Sequence, residues 1–389
     1  MIPCNRWAVR WAVAIAAAVV LTGRVAAGQG SLSTQGFGYP PGQFSTRALA
    51  TGGGLAQFDA DSPLNPAAIA LSADPRVFFQ YEPEFRRFSA DTASASTLTA
   101  RFPLTAASVP FRRKGSIGLS VSTFLDRSFA TTTTREVAVA DQITTVTEAV
   151  RVIGAINDVR LAAGYAPSAK VQVGIGGHVL TGQSRVFFDQ SFPDSLNFST
   201  VTQSTNVSFT GFAVSAGAIL RPARSIAFAI SGRKGGDISA RSRDTTVSTA
   251  GVPDRLAAAL SYEGISGASV SAQVARESWS SLNGLGSAVV NAVDAWEGGV
   301  GLEAAGPRIA ERLLVFRAGA RYRTLPFQAA GSDVTELSFA GGVGAQFFRN
   351  RAALDLTVQH SSRSAGEPAV TGDPRERAFT LSFGLRVRP

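Results

Sequence analysis

The sequence predicts an all-β fold, a transmembrane antiparallel β-barrel of about 14 strands with an N-terminal segment that plugs it. Three observations lead to this prediction. From Arg76 onward apolar and polar residues alternate with a period of two, as in strands with two different faces. Turn signals rich in Pro, Gly and Asn separate the alternating runs. No later run approaches the roughly 18 consecutive apolar residues that would indicate a membrane-spanning helix.

Residues 1–27 read as a secretory signal peptide. Arg6 and Arg10 supply a basic start, residues 11–21 are apolar, and residues 25–27 are small enough for cleavage. The apolar run is shorter than the roughly 20 residues that a transmembrane helix needs, although a retained anchor is the alternative. The only cysteine, Cys4, leaves with this signal, so we expect no disulfide and no thiol chemistry in the mature chain.

The net charge of the chain and its distribution limit the classes of binding partner. The formal net charge is +9, but the basic residues are spread along the chain and few aromatic residues lie among them. A nucleic-acid surface needs a concentrated basic patch, so we predict no nucleic-acid partner. A modest positive charge favours contact with membrane lipid and with an anionic lipopolysaccharide surface.

Residues 28–75 lack sustained alternation and are rich in Gly, Pro, Ser and Gln. Scattered apolar residues and a short predicted helix near residues 64–71 give this stretch apolar surface to bury, which favours an ordered plug over a disordered leader. Asn65-Pro66 marks the start of that helix, because Asn-Pro favours a turn and Pro fits the first helical position. Asn65, Pro66 and Ala67 are therefore the predicted anchor of the plug.

Residues 76–389 form the predicted barrel. In the last strand Phe379 and Phe383 fall on one face, whereas Ser382 and Gly384 fall on the other. Short turns alternate with longer polar stretches that we predict as loops: residues 131–148, 190–202, 242–251, 281–290 and 325–332. This layout is typical of an outer-membrane barrel. A soluble sandwich would also alternate, but the mixed Arg, Glu, Gln, Ser and Gly faces suit a crowded lumen better.

Candidate chemistry is sparse. His178 shares a face with Gln172 and Gly174, which predicts that it points into the lumen, and His360 is predicted near a membrane interface. No compact nucleophile, metal or phosphate motif is present, so we predict no catalytic, cofactor-binding or metal site and no enzyme activity.

Opposite charges on three neighbouring predicted strands are expected to pair across the wall. They are Arg317, Arg321 and Arg323 on one strand, flanked by Glu297, Glu303 and Glu336 on the strands beside it. Such pairs either hold the wall and the plug together or polarise a pathway for an anionic head group.

A Gly-rich N-terminal stretch that ends in Asn65-Pro66-Ala67 and precedes about 14 strands resembles the long-chain fatty acid transporter family, which includes aromatic-hydrocarbon channels. The resemblance implies a hatch inside the barrel, passive uptake of hydrophobic small molecules through a lateral opening, and insertion by the outer-membrane assembly machinery of a Gram-negative-type bacterium. We choose Phe37, Phe44, Leu55 and Phe58 as the candidate hatch residues near that substrate path. The alternative is a non-transporting scaffold that resembles the shuttle barrels of type IX secretion, which share the Asn-Pro-Ala junction.

Overall fold

The computed structural model describes residues 37–72, 74–90, 93–111, 114–139, 142–193, 199–285, 292–309, 312–329, 331–348, 351–365 and 375–389. The predicted signal peptide, residues 1–27, and the start of the predicted plug, residues 28–36, lie outside the described residues. Seventeen strand segments form one sheet. Three strands are interrupted once each, so these segments make fourteen strands.

The strands follow one another along the chain and are numbered in that order. They are β1 Arg76–Ala90, β2 Ala93–Arg101 with Leu104–Phe111, β3 Gly115–Asp126 with Phe129–Val139, β4 Gln142–Ser168, β5 Val171–Ser191, β6 Val201–Ala223, β7 Ile226–Ser242, β8 Thr245–Gly251 with Arg255–Ile265, β9 Ala268–Glu277, β10 Ala295–Ile309, β11 Arg312–Ala329, β12 Ser332–Phe347, β13 Ala352–Ala365 and β14 Arg375–Val387. Three short helical elements accompany them: α1 Thr46–Ala50 and the 3-10 helices Pro66–Leu71 and Trp279–Leu282.

Each strand pairs antiparallel with its sequence neighbour, and β14 pairs with β1 in a register from Val77↔Val387 to Ser89↔Arg375. This last pairing closes the sheet into a barrel and removes both free edges. The predicted antiparallel barrel of about 14 strands is confirmed.

The two faces of the wall differ as the alternation predicts. In β14, Phe379, Phe383 and Leu385 are exposed on the outside, whereas Thr380 and Ser382 are buried inside. Exposed Leu, Ile, Val and Phe side chains recur on the outer face of most strands. Exposing so large an apolar band to water would be unfavourable, whereas the hydrocarbon of a membrane is as apolar as the band itself. Among the described residues, no helix has the length and apolar character to cross a membrane.

The ends of the barrel are unequal, but not as predicted. Residues 131–148, 242–251 and 325–332 were predicted as loops, yet most of each belongs to a hairpin that lengthens two strands, as the pairs Val139↔Gln142, Thr245↔Ser242 and Ala329↔Ser332 show. Beyond the membrane no lipid selects an apolar face, so the alternation fades there while ladder hydrogen bonds continue. The N-terminal end of β1 and the C-terminal end of β14 lie together at the opposite, short-turn end.

Candidate functional site

Residues 37–72, called the N-terminal segment below, lie against the inward-facing side of the wall. The helix α1 contacts β11, β12, β13 and β14, while the 3-10 helix Pro66–Leu71 contacts β3, β4, β5 and β6. Because these two groups of strands form different parts of the wall, the segment crosses the interior. Ser45 caps α1 by accepting a hydrogen bond from the Ala48 backbone N–H at 3.1 Å.

Inward-facing glycines make room for this segment. A Cβ at Gly174 would lie 2.3 Å from the Pro66 carbonyl carbon, and one at Gly217 would lie 2.1 Å from Asn65 Oδ1. Any larger residue at these two positions would displace the segment from the wall. The glycine-rich polar faces of the strands are therefore the contact surface of the N-terminal segment.

The predicted anchor residues Asn65, Pro66 and Ala67 are all buried. Asn65 Oδ1 accepts from the Ala67 backbone N–H at 3.0 Å, and Asn65 Nδ2 donates to the Gln57 carbonyl at 3.0 Å. The first bond caps the 3-10 helix that Pro66 begins, and the second ties that helix to the preceding turn. Hydrogen bonds between residues close in sequence thus fix the conformation of the segment at Asn65.

We expect Asn65→Ala to lower the free energy of unfolding by about 1–3 kcal/mol, because it removes a cap and leaves the buried Gln57 carbonyl unpaired. Urea titration of the barrel in lipid vesicles measures this change. Asn206→Ala is the matched control, since Asn206 bonds only to Arg185 on the exposed surface. Equal effects of the two substitutions would contradict the anchoring role.

Tyr39 of the segment lies at the centre of a buried charged cluster. Its hydroxyl donates to Glu336 Oε2 at 2.9 Å and accepts from Arg323 Nη2 at 2.6 Å and Arg363 Nη2 at 2.8 Å. Four guanidinium groups lie 4.6–5.5 Å from the ring centroid: Arg86, Arg101, Arg323 and Arg363. This Tyr39 cluster gives the ring both hydrogen bonds and cation–π contacts.

The predicted pairing of charges across β10, β11 and β12 is confirmed. The ion pairs are Arg317–Glu303 at 2.6 Å, Arg321–Glu297 at 3.6 Å and Arg323–Glu336 at 2.8 Å. Arg47 of the segment joins them with two bonds to Glu303, at 2.8 and 2.7 Å. Since the segment itself completes these pairs, they favour the interpretation that the charges hold wall and plug together.

A second polar attachment involves Asp59. Its carboxylate accepts from Ser45 Oγ at 2.5 Å and Ser62 Oγ at 2.8 Å. Burial alone would raise the pKa of Asp59, but the charges of Arg47 and Arg386, helped by the two hydroxyls, lower that pKa below its ordinary value. The aspartate is therefore charged at neutral pH and fixes the fold of the segment around it.

His178 faces the lumen, as predicted, and links three strands. Its Nδ1 lies 2.9 Å from Asp158 Oδ1, and its Nε2 lies 2.8 Å from Ser215 Oγ. Gln43 of the N-terminal segment donates to Asp158 Oδ2 at 3.0 Å and to Ser122 Oγ at 2.7 Å. The order Asp–His–Ser is that of a hydrolase relay, which the sequence did not predict. In this protein the Gln43 side chain of the N-terminal segment covers the aspartate.

Beside the Tyr39 cluster, one side of the outer lumen is apolar. Phe37 contacts Trp279, and Phe124 stacks on the same indole with centroids 5.1 Å apart. Inward-facing side chains of β4–β7 join them to form the apolar layer: Ile156, Leu180, Phe209 and Ile238. Sequence reasoning missed these wall residues, although a signal existed, since consecutive apolar pairs such as Val179-Leu180 mark positions where both faces are apolar.

The four predicted substrate-path residues fall into three separate clusters. Phe37 belongs to the apolar layer. Leu55 and Phe58 pack together against β6–β8, whereas Phe44 packs within the segment beside Leu49 and Leu64. The structure therefore does not gather them along one surface, and their role in a path stays a prediction.

The wall itself weakens beside the apolar layer. The ladder between β2 and β3 ends at Leu104↔Ser122, followed by one hydrogen bond from the Thr123 N–H to the Pro103 carbonyl at 2.9 Å. Within the described part of the chain, Ala93–Arg101 then pairs only with β1, and Phe129–Val139 pairs only with β4. We call this break the β2–β3 seam.

The N-terminal segment reaches this seam. Tyr39 and Asp126 exchange two backbone hydrogen bonds, at 2.7 and 2.9 Å, just before the interruption of β3. The neighbouring side chains Phe124 and Leu125 belong to the apolar layer. The apolar layer, the N-terminal segment and the β2–β3 seam therefore meet at one place.

Comparison with known proteins shows a shared fold. The structure of a Pseudomonas aeruginosa FadL homologue matches with a TM-score of 0.57 and 13% identity, covering 90% of this chain and 99% of the other. The P. putida toluene transporter TodX matches with a TM-score of 0.54 and 11% identity, covering 88% and 97%. The CymD monoaromatic hydrocarbon channel matches with a TM-score of 0.53 and 12% identity, covering 89% and 97%. No protein-family model and no curated protein sequence matches the chain.

Proposed function

We propose that this protein is an outer-membrane channel for the passive uptake of hydrophobic small molecules such as fatty acids or hydrocarbons. The observation that carries the proposal is the contact of the apolar layer with the β2–β3 seam at Phe124 and Leu125. An apolar layer beside a break in the wall offers a hydrophobic solute a route from the outer end toward the membrane. Two of the fold neighbours are a toluene transporter and a monoaromatic hydrocarbon channel, which supports the same proposal.

Transport by this route needs no external energy source. A hydrophobic solute gains roughly 25 cal/mol per Å² of apolar surface removed from water when it enters the apolar layer. It then leaves sideways through the seam, or downward, once the N-terminal segment shifts. Because lipid is as apolar as the layer, the solute continues down its concentration gradient.

The same proposal covers location and partners. An exported barrel with an apolar outer band would be inserted by the outer-membrane assembly machinery and surrounded by membrane lipid. Arg151, Arg185 and Arg241 face outward beyond the apolar band, and no carboxylate pairs with them among the described residues. Guanidinium groups so placed can bind the phosphates of lipopolysaccharide.

We test the function with uptake of a neutral hydrocarbon probe into vesicles that contain the purified barrel. The double variant Leu180→Thr/Ile238→Thr replaces two buried alkyl groups of the apolar layer with hydroxyls. We expect about tenfold slower uptake, since small changes in an apolar pocket shift affinity by roughly 1–3 kcal/mol. Leu161→Thr, on the lipid-facing side of β4, is the control and should leave uptake unchanged. Unchanged uptake in the double variant would count against the apolar layer as the route.

A non-transporting scaffold is the second candidate function. The close fit of the N-terminal segment favours it, because two cavities that border the segment measure about 40 and 10 Å³. A cavity of that size holds little more than water. The two functions differ in whether the segment must move, which a disulfide that holds the segment against the wall can test.

A further inference from the structure

A small cavity lies beneath the 3-10 helix Pro66–Leu71, on the inner face of β1–β4. Its volume is about 10 Å³, and one polar residue from each of these four strands borders it: Arg76, Ser108, Ser120 and Arg160. Ser120 and Arg160 are direct cross-strand partners, as are Arg76 and Ser108. Two guanidinium groups and two hydroxyl groups therefore border the same small cavity.

Arg160 is the unusual member of this group. It is 3% exposed, yet its Nε and Nη1 atoms have no hydrogen-bond partner, and the Oγ atom of the equally buried Ser120 has none either. Burying a charged donor without a partner costs several kcal/mol. The nearest inward-facing carboxylate on its strand, Asp158, is already bonded to His178 and Gln43.

Two guanidinium groups and one carboxylate border the cavity. Arg76 Nε donates to Ser108 Oγ at 3.1 Å, and Arg76 Nη1 lies 3.7 Å from Asp61 Oδ1. Asp61 is the one carboxylate that borders the cavity, and Arg386 Nε already donates to it at 2.6 Å. The carboxylate at the cavity is thus already bonded, and the unpartnered atoms of Arg160 and Ser120 lie beside it.

We propose that Arg160, Ser120 and Arg76 bind a small monoanion inside the barrel. A guanidinium donor pair and a hydroxyl suit either a halide or a carboxylate group. A halide, a single atom, needs only a small widening of the cavity, whereas a carboxylate head group would need Ile69, which borders the cavity, to move aside. The carboxylate source rests on the proposed uptake function, because it makes the site a stop for the head group of an anionic amphiphile. Binding of a halide does not depend on the proposed uptake function.

The first test measures the melting temperature of the purified barrel in detergent as sodium chloride replaces sodium isethionate at constant ionic strength. The isethionate anion is too large for the cavity. We expect chloride to raise the melting temperature of the unsubstituted protein and to have no such effect on Arg160→Gln. Ser120→Ala, a milder change, should weaken the chloride effect. Arg151→Gln, on the outward face of the same strand, should retain it.

The second test compares binding of decanoate and decanol. Weaker decanoate binding by about tenfold in Arg160→Gln, with decanol binding unchanged, assigns the site to a carboxylate head group. Unchanged decanoate binding together with the chloride effect assigns it to a halide. The absence of both effects in the unsubstituted protein, or their persistence in Arg160→Gln, would overturn the proposal. Uptake of the neutral probe reports the channel function separately.

Discussion

A disulfide between the N-terminal segment and the wall is expected to abolish uptake of hydrophobic probes until it is reduced. Thr46 Oγ1 of α1 lies 3.0 Å from Ser382 Oγ of β14, so Thr46→Cys/Ser382→Cys places two thiols within bonding reach. The bond would hold the segment in its observed position. Uptake that needs the segment to shift must then stop, which vesicle assays before and after reduction measure directly.

The matched control joins two strands that do not need to separate. Ser338 Oγ of β12 lies 2.8 Å from Ser361 Oγ of β13, and Ser338→Cys/Ser361→Cys should leave uptake intact in both redox states. The predicted mature chain carries no other cysteine, which keeps both experiments clean. Full uptake by the oxidised segment-to-wall variant would mean that solutes bypass the segment. No uptake by any variant, the unsubstituted protein included, would favour the scaffold.

Loss of Arg363 is expected to produce the largest single fall in stability. Arg363 donates to Glu84 at 2.8 Å, to Glu336 at 2.6 Å and to Glu376 at 2.5 Å. Arg363→Met would leave three buried carboxylates with less countercharge. Removing one partner of a buried ion pair costs about 3–5 kcal/mol, and we expect a fall of at least that size. Urea unfolding followed by tryptophan fluorescence gives the free energy.

Arg276→Met is the control for this experiment. Arg276 pairs with Asp294 at 3.0 Å, but more than half of its side chain is exposed. Exposed pairs of this kind contribute less than about 1 kcal/mol, because water screens the charges. A fall of similar size in the two variants would show that the Tyr39 cluster carries no special share of the stability.

The fold was largely predictable because the membrane imposes a simple rule on alternate residues. Lipid selects apolar side chains on one face and the lumen admits polar ones on the other, so Phe383 and Ser382 revealed their sides without any structure. The same rule predicted the pairing of Arg323 with Glu336, since these residues lie on neighbouring strands. It failed beyond the membrane, where hairpins extend without alternation.

The candidate site was predictable only where its chemistry is local. Asn65-Pro66 marked the capped 3-10 helix, because a cap and its helix are adjacent in sequence. The apolar layer was missed, because Leu180 and Ile238 face inward on strands whose alternation indicates only that one face is apolar. The β2–β3 seam was missed too, since a ladder ends where two strands diverge in space.

The sequence by itself thus determined the barrel, the direction of its side chains and the start of the short helix in the N-terminal segment. The tertiary structure alone decided which side chains contact one another inside the barrel. Glu84 and Arg363 are 279 positions apart, and Tyr39 and Arg363 are 324 apart, yet they share one hydrogen-bonded cluster. Closure of β14 onto β1 and the passage of the N-terminal segment across the lumen create those contacts. No local period encodes them, because they depend on the register of the whole barrel.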